Sequence, residues 1–292
     1  MIYLLPVDHL PPNNIPVNES NVDLEEYFLR HFSRDYASVT ISGRSAISLI
    51  MNHLKLQRAD EVLILTTFDF PNVSSCVTST IFNYCKPARV LSRHTRAILV
   101  IHEFGVPYTD MDYVLQLSRS RGIPVIEDCA HTIDSIGSGY RVGTIGDWVI
   151  CSLPKIFPVR FGGILLGTPI DYNPNRFQKQ KIITLSQDIA LYLDDIFAIS
   201  EIRRENYKTL TELTIPMGLH PLFEVNESIS PWFFPIAVPD VERTAEAAMS
   251  LGVEYGLWHG TNIIVFPCHQ YLNDEHIFQI ANVISHGLNS NL

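Results

Sequence analysis

A lysine stands in an almost uninterrupted apolar run, Cys151-Ser152-Leu153-Pro154-Lys155-Ile156-Phe157-Pro158-Val159, which ends in Arg160-Phe161-Gly162-Gly163. Apolar surroundings strip hydration from an ammonium group and disfavour its charged form. A lysine drawn toward neutrality can attack an aldehyde and hold it as a Schiff base. Upstream, a short apolar strand ends in an acid, Pro124-Val125-Ile126-Glu127-Asp128, and His131 follows. A desolvated lysine with an acid at the carboxyl end of a strand is the pair that pyridoxal phosphate (PLP) chemistry uses, the acid partnering the pyridine nitrogen.

A phosphate needs donors, and Ser42-Gly43-Arg44-Ser45-Ala46 opens a helix with free N–H groups and a glycine that permits close backbone approach. No G-x-G-x-x-G or G-x-x-x-x-G-K-[ST] pattern follows a strand, which counts against dinucleotides and nucleoside triphosphates. Each candidate also has a plain structural alternative. Ser42 and Asp128 could be helix caps, His131 a satisfied loop residue, Phe68 and Phe70 packing residues, and Lys155 could snorkel to the surface.

The elements that must position these groups follow from periodicity. Apolar strands are expected at Glu61–Leu65, Ala97–His102, Val125–Glu127, Trp148–Ser152 and Gly163–Gly167, the first two read as buried strands. Helices are expected at Val22–Phe32, Gly43–Leu54, Val73–Tyr84 and Asp110–Arg121, the last closed by Gly122. This alternation predicts an α/β sheet that is largely parallel. A long helical region, Arg176–Leu213, interrupts it. Strand Trp232–Val238, helix Val241–Leu251, strand Asn262–Phe266 and helix Glu275–His286 then form a small α+β piece. The division expected is residues 1–205 and 206–292. In parallel sheets ligands sit beyond the carboxyl ends of strands, where Asp128, His102 and Ser152 fall.

Composition agrees with a globular protein with a sizeable core: 292 residues, 46% hydrophobic and 18% charged. A formal net charge of −10 without any Lys/Arg-rich block argues against a nucleic-acid or anionic-membrane surface. Met1-Ile2-Tyr3-Leu4-Leu5-Pro6 lacks a basic flank and a full apolar core, so a cytoplasmic setting without a membrane span is expected. The five scattered cysteines form no C-x-x-C pair and give no zinc or redox motif.

The order of these motifs resembles the DegT/DnrJ/StrS sugar aminotransferases. It is carried by Ser42-Gly43-Arg44-Ser45-Ala46, by His102-Glu103-Phe104-Gly105-Val106-Pro107 with Asp110, and by Val125 through His131. It continues through Gly143-Thr144-Ile145-Gly146-Asp147, Ser152 and Lys155, Gly162-Gly163 and Arg203-Arg204-Glu205-Asn206-Tyr207. The resemblance implies PLP-transferase fold type I, with a large mixed, mostly parallel sheet domain and a small C-terminal α+β domain. It implies that Lys155 forms the internal aldimine, Asp128 keeps the pyridine nitrogen protonated and His131 contacts the phenolic oxygen. Gly43, Arg44, Ser45 and Ser152 would bind the phosphate, and Phe70 would stack on the ring. His102 and His269 fall where the substrate is approached. The implied activity is transfer of an amino group from glutamate or glutamine to a keto group of a nucleotide-linked sugar, in a homodimer, in polysaccharide or natural-product biosynthesis.

This sequence departs from the family pattern in several places. The run from Ser152 to Lys155 is short, the segment between Pro87 and Thr95 is trimmed, and the usual Asn-Tyr-Arg loop after the Gly-Gly strand is missing. Arg44 replaces a small residue and would supply charge that the missing loop no longer gives. Such losses also fit a catalytically silent relative that binds PLP or a sugar as a regulatory partner. A dehydratase of this family would carry histidine in place of Lys155.

Overall fold

A computed structural model describes residues 1–9, 23–190, 192–193 and 196–288. In chain order its elements are α1 (Leu24–Phe32), β1 (Ala37–Thr40), α2 (Gly43–His53), β2 (Glu61–Thr66), α3 (Ser75–Phe82), β3 (Lys86–Ala88), β4 (Thr95–Ile101), α4 (Met111–Arg121) and β5 (Val125–Asp128). A hairpin of β6 (Ile136–Gly137) and β7 (Tyr140–Arg141) precedes β8 (Trp148–Ser152) and β9 (Gly163–Gly167). Then come α5 (Arg176–Ile189), α6 (Ile196–Thr214), β10 (Phe233–Ala237), α7 (Val241–Ser250), β11 (Gly256–Trp258), β12 (Ile263–Pro267) and α8 (Asp274–Leu288).

Seven strands form the main sheet in the order β1-β9-β8-β5-β4-β2-β3. Parallel pairing links β8, β5, β4, β2 and β3, whereas β9 runs against both of its neighbours. The side-chain period of two sorts each strand between two helical layers. In β4, Ala97, Leu99 and Ile101 join the core under α2 and α3, while Ile98 and Val100 join the core under α4. In β8, Val149 and Cys151 face the layer of α1, α5 and α6, and Trp148 and Ile150 face the opposite one. A strand buried on both faces reads as an unbroken apolar run, which is why these strands are visible in the sequence.

The helical region Arg176–Leu213 is two helices rather than one. Leu193 is buried in the core, and its carbonyl accepts a hydrogen bond from Tyr27 Oη at 2.7 Å. That bond comes from a side chain of α1 and not from a backbone N–H of the same segment. Val22, expected to open the first helix, lies outside the described residues, and Asp23 caps that helix by accepting the Glu26 N–H. The short strands β1, β3, β6, β7 and β11 carry no apolar run of their own and take their form from their partners.

A second, antiparallel sheet, β10-β12-β11, packs with α7 and α8 around its own core. The division expected at residues 205 and 206 falls inside α6. Ile196 and Ile199 of that helix pack in the large core, and Tyr207 and Leu210 in the small one. Ile2 also joins the small core, bridging to Val253.

Two close approaches tie loops to strands. A Cβ on Gly163 would lie 2.5 Å from the Ser42 carbonyl carbon and 2.6 Å from the Gly43 nitrogen. Only glycine lets β9 pass beneath the turn that opens α2. Gly105 has a φ of +95° and would place a Cβ 2.1 Å from the Ser230 oxygen. Gly163→Ala should therefore cost about 3 kcal/mol of stability, read as a lowered denaturation midpoint at an unchanged m-value.

Candidate active site

β2, β4, β5 and β8 run in one direction, so their carboxyl ends form one edge. The register sets Thr66 beside Ile101, Ile101 beside Asp128, and Asp128 beside Ile150. Beyond this edge lies a cavity of about 440 Å³. Ser42, Gly43 and Arg44 of the α2 turn, Glu103, Asp128, His131, Ser152, Lys155, Arg160 and Trp258 all contribute to its wall.

Lys155 ends a single turn of 3₁₀ helix, Leu153–Lys155, with Pro154 at its second position. Its Nζ stands 4.3 Å from the centroid of the Trp232 ring. Burial pushes the ammonium below the usual lysine range, opposed by Asp128 and Cys76. Arg203 holds the backbone of this turn. Its Nη2 donates to the carbonyls of Lys155 and Ile156, each at 3.1 Å, and its Nε donates to Gln270 Oε1 at 3.0 Å. Gln270 Nε2 donates in turn to the Ile156 carbonyl. The guanidinium is 1% exposed, and burial pushes its pKa down to about 10.

Asp128 accepts the Ala130 N–H on Oδ1 at 2.9 Å. Burial pushes its carboxyl up, against the pull of Lys155, the Ala130 amide and His102. His131 Nδ1 accepts the Phe104 N–H at 3.1 Å, so a neutral ring carries its proton on Nε2. Burial, then Lys155 and His102, push this imidazole well below its ordinary value and keep it neutral. Trp232 stacks on it with centroids 3.9 Å apart.

The expected site residues do not all reach the cavity. Gly43, Arg44, Asp128, His131, Ser152 and Lys155 line it. Ser45 does not. Its N–H and Oγ are both bonded to Ser42 Oγ, and it lines a neighbouring polar cleft with Arg44, Ser48 and Thr80. Phe70 packs with Phe68, centroids 5.8 Å apart, and against Trp258, in the apolar contact between the two sheets. His102 is fully buried away from the cavity wall, Nδ1 accepting the Tyr108 N–H and Nε2 facing Glu127 Oε2 at 3.3 Å. His269 is spent on backbone, Nε2 on the Tyr3 carbonyl and Nδ1 on the Tyr271 N–H.

His102, Glu127 and Cys129 come together as a metal site would require. The His102 and Glu127 donors are already engaged. Glu127 accepts the N–H groups of Gly143, Ile145 and Gly146 as well as facing His102. Burial alone would push its carboxyl up, but the bonds from His102, Gly146 and Gly143 hold it below the ordinary range.

Four wall or support residues carry no signal in the periodicity: Glu103, Arg160, Trp258 and Trp232. Glu103 lies two residues past the end of β4, and a charged residue there reads as solvated. Instead it is 2% exposed, and burial pushes its carboxyl up to about 7, against the Phe68 N–H and Arg89. A carboxyl with a raised folded pKa binds its proton in the folded chain while the unfolded chain has lost it. Stability from this group therefore falls as pH rises from the ordinary 4.5 toward 7. Glu103→Gln should be the more stable protein at pH 8, by roughly 3 kcal/mol, with the advantage fading toward pH 4.5 in paired thermal melts.

The profile of the DegT/DnrJ/EryC1/StrS aminotransferase family matches residues 10–159. GDP-perosamine synthase of Escherichia coli O157:H7 is 29% identical over 136 residues, 42% of this chain and 37% of that enzyme. The chain spans about a third to three fifths of the length of the curated relatives it matches. Among solved structures, the aminotransferase TlmJ from Streptoalloteichus hindustanus superposes with a TM-score of 0.74 at 17% identity, covering 89% of this chain and 88% of that one. The PLP-form of Spr1654 from Streptococcus pneumoniae gives 0.72 at 17% identity, with 96% and 94% covered. These likenesses show a shared α/β fold with a large, mostly parallel sheet. With half of the sequence matched to one family profile, the chain belongs to the DegT/DnrJ/EryC1/StrS aminotransferase family.

Proposed function

We propose that this protein is a PLP-dependent aminotransferase that moves an amino group from glutamate or glutamine onto a keto group of a nucleotide-linked sugar. The observation that carries the reading is a desolvated lysine amine and a buried carboxyl on one cavity wall, Lys155 and Asp128, beside a helix N-terminus. Family membership, a relative named GDP-perosamine synthase and a fold neighbour solved in a PLP-form support it.

The donor set fits the cofactor. A phosphate would meet the α2 turn at Ser42 and Gly43, the Arg44 guanidinium and the Ser152 hydroxyl, with Arg160 as a second cation on the wall. Asp128, with one oxygen on the Ala130 amide and, among the described residues, no cation in an ion pair with it, is suited to hold a proton on a ring nitrogen. His131 lines the cavity and, with Nδ1 accepting the Phe104 N–H, carries its proton on Nε2, which suits it to a phenolic oxygen. When bound, PLP supplies an electron sink for negative charge at the carbon bearing the amino group. Lys155 would hold the cofactor and take and return the proton at that carbon, and burial favours its neutral amine, which can act as a base. Trp232 and Trp258, with Phe104, close the side toward the small sheet. The homodimer and cytoplasmic setting belong to the same proposal. Among the described residues, no helix is long and apolar enough to cross a membrane.

Borohydride reduction after PLP loading tests the reading. The parent should gain the cofactor's mass on the peptide holding Lys155 and show visible absorbance, and Lys155→Ala should show neither. Amino transfer by that variant should fall on the order of a thousandfold. Loading without transfer from any amino donor would favour a silent, ligand-binding relative, and no loading at all would remove the cofactor.

A further inference from the structure

One buried acid on the cavity wall has no part in holding the cofactor. Glu103 begins the turn after β4, and two bonds to the loop after β2 fix it. Its N–H donates to Thr67 Oγ1 at 3.1 Å, and its Oε2 accepts the Phe68 N–H at 3.0 Å. The turn is clamped from the other side as well, since the Phe104 carbonyl accepts the Trp232 N–H. Thr67 is itself held, donating to the Val106 carbonyl at 2.8 Å. The side chain is thus presented in one rotamer, as a binding group must be if it is to lose little entropy on engagement. Among the described residues, Oε1 has no hydrogen-bond partner, although the residue is 98% buried and lines the cavity. Val73, Val77, Ile101 and Trp258 share that lining, and none of them bonds to it.

A carboxyl oxygen that stands open to the cavity, in a largely apolar wall and with its partner oxygen fixed, is available to a group that donates to it. We propose that Glu103 is the residue with which this cavity reads its acceptor, Oε1 taking a hydrogen bond from a ring hydroxyl of the carbohydrate. This rests on the reading that the acceptor is a sugar. The choice of a hydroxyl follows from the chemistry of the group. Its pKa of about 7 means that both protonation states occur near neutrality, under the opposing influence of Arg89 and Asp69, which pair with each other at 2.6 Å. An ammonium ligand would suit only the carboxylate, and an anionic ligand only the acid. A ring hydroxyl is the neutral donor a carbohydrate offers, and above pH 7, where the carboxylate prevails, it donates to Oε1. The same wall disfavours acceptors carrying a carboxylate there.

Glu103→Gln separates this role from a structural one. The Phe68 N–H is a donor, so the amide oxygen must turn to it, and the NH₂ group then faces the cavity. Packing and the Phe68 bond survive, while the acceptor at the ligand is replaced by a donor. PLP-loaded parent and variant are assayed at pH 8 with GDP-, UDP- and dTDP-linked keto-hexoses, each paired with a counterpart lacking one ring hydroxyl. For one such pair the parent should prefer the hydroxylated sugar by about a hundredfold or more in kcat/KM, as sites built to bond a hydroxyl do. Glu103→Gln should shrink that ratio at least about tenfold, with cofactor absorbance and the half-reaction with the amino donor unchanged. Glu103→Asp, which keeps the charge but withdraws it by one methylene, should fall between the two and serves if the first variant folds poorly. A ratio unchanged in the variants, or an equal loss on both members of every pair, overturns the assignment. Turnover by the parent without any preference overturns it too, and leaves sugar amination standing. No turnover with any pair overturns the amino-transfer reading and this one with it.

Discussion

A guanidinium buried without a carboxylate partner holds the site in shape. Arg203 gives up its hydration and recovers hydrogen bonds to two carbonyls and one side-chain amide. Charge-assisted bonds of this kind offset the loss of water only when the geometry is complete. Completion here requires three separate stretches: α6, the Lys155 turn, and Gln270 after the last strand of the small sheet. The lysine turn is a single short turn at the end of β8, and on its far side its position is set by that junction. Trp232, whose ring lies beneath the lysine amine, comes from the same side. The chemistry at the edge of the large sheet is therefore conditional on the packing of the small one.

Two neighbouring acids on β5 show how burial divides structural from chemical groups. Glu127 and Asp128 point to opposite faces of the strand, as the pleat requires. Glu127 meets three backbone amides and His102, enough to stabilise the anion outright, and it pins the 143–146 turn to the sheet. Asp128 has one amide bond and a cavity in front of it. A saturated carboxylate has nothing left to offer a ligand. An under-satisfied one retains both capacity and a raised proton affinity, the condition under which an approaching cation gains most.

How much of this is legible in the sequence depends on whether a residue's surroundings are local. The runs of β2, β4, β5, β8 and β9 declare themselves because a strand covered on both faces needs apolar residues throughout, and the acid and lysine that interrupt those runs are visible for the same reason. Phe70 reads like a ring-stacking aromatic, yet its partners, Phe68, Phe223 and Trp258, are drawn from three regions of the chain and make a packing cluster instead. His269 lies in a segment of the right kind but is occupied by Tyr3, hundreds of residues away. Ser45 is one position too far into its helix: the cap consumes the N–H that a ligand would need. Glu103 and Trp258 could not be singled out, because nothing near them in sequence reveals that they share a wall.

That wall depends on a strained residue. Phe104 has φ 55° and ψ 12°, a left-handed conformation that costs a side-chain-bearing residue of order 1–2 kcal/mol. Glycine would relieve the strain, but it would forfeit a ring packed 4.6 Å from Trp258. The conformation aims the Phe104 N–H at His131 Nδ1 and its carbonyl at the Trp232 N–H. The first bond decides which imidazole nitrogen carries the proton, and the second joins the two sheets. With Glu103 immediately before it, the same turn orients an acid toward the cavity. A relaxed turn could satisfy any one of these demands, but the left-handed residue lets a single peptide serve the histidine tautomer, the sheet contact and the acid together, and the packing of Trp258 and Trp232 keeps it there.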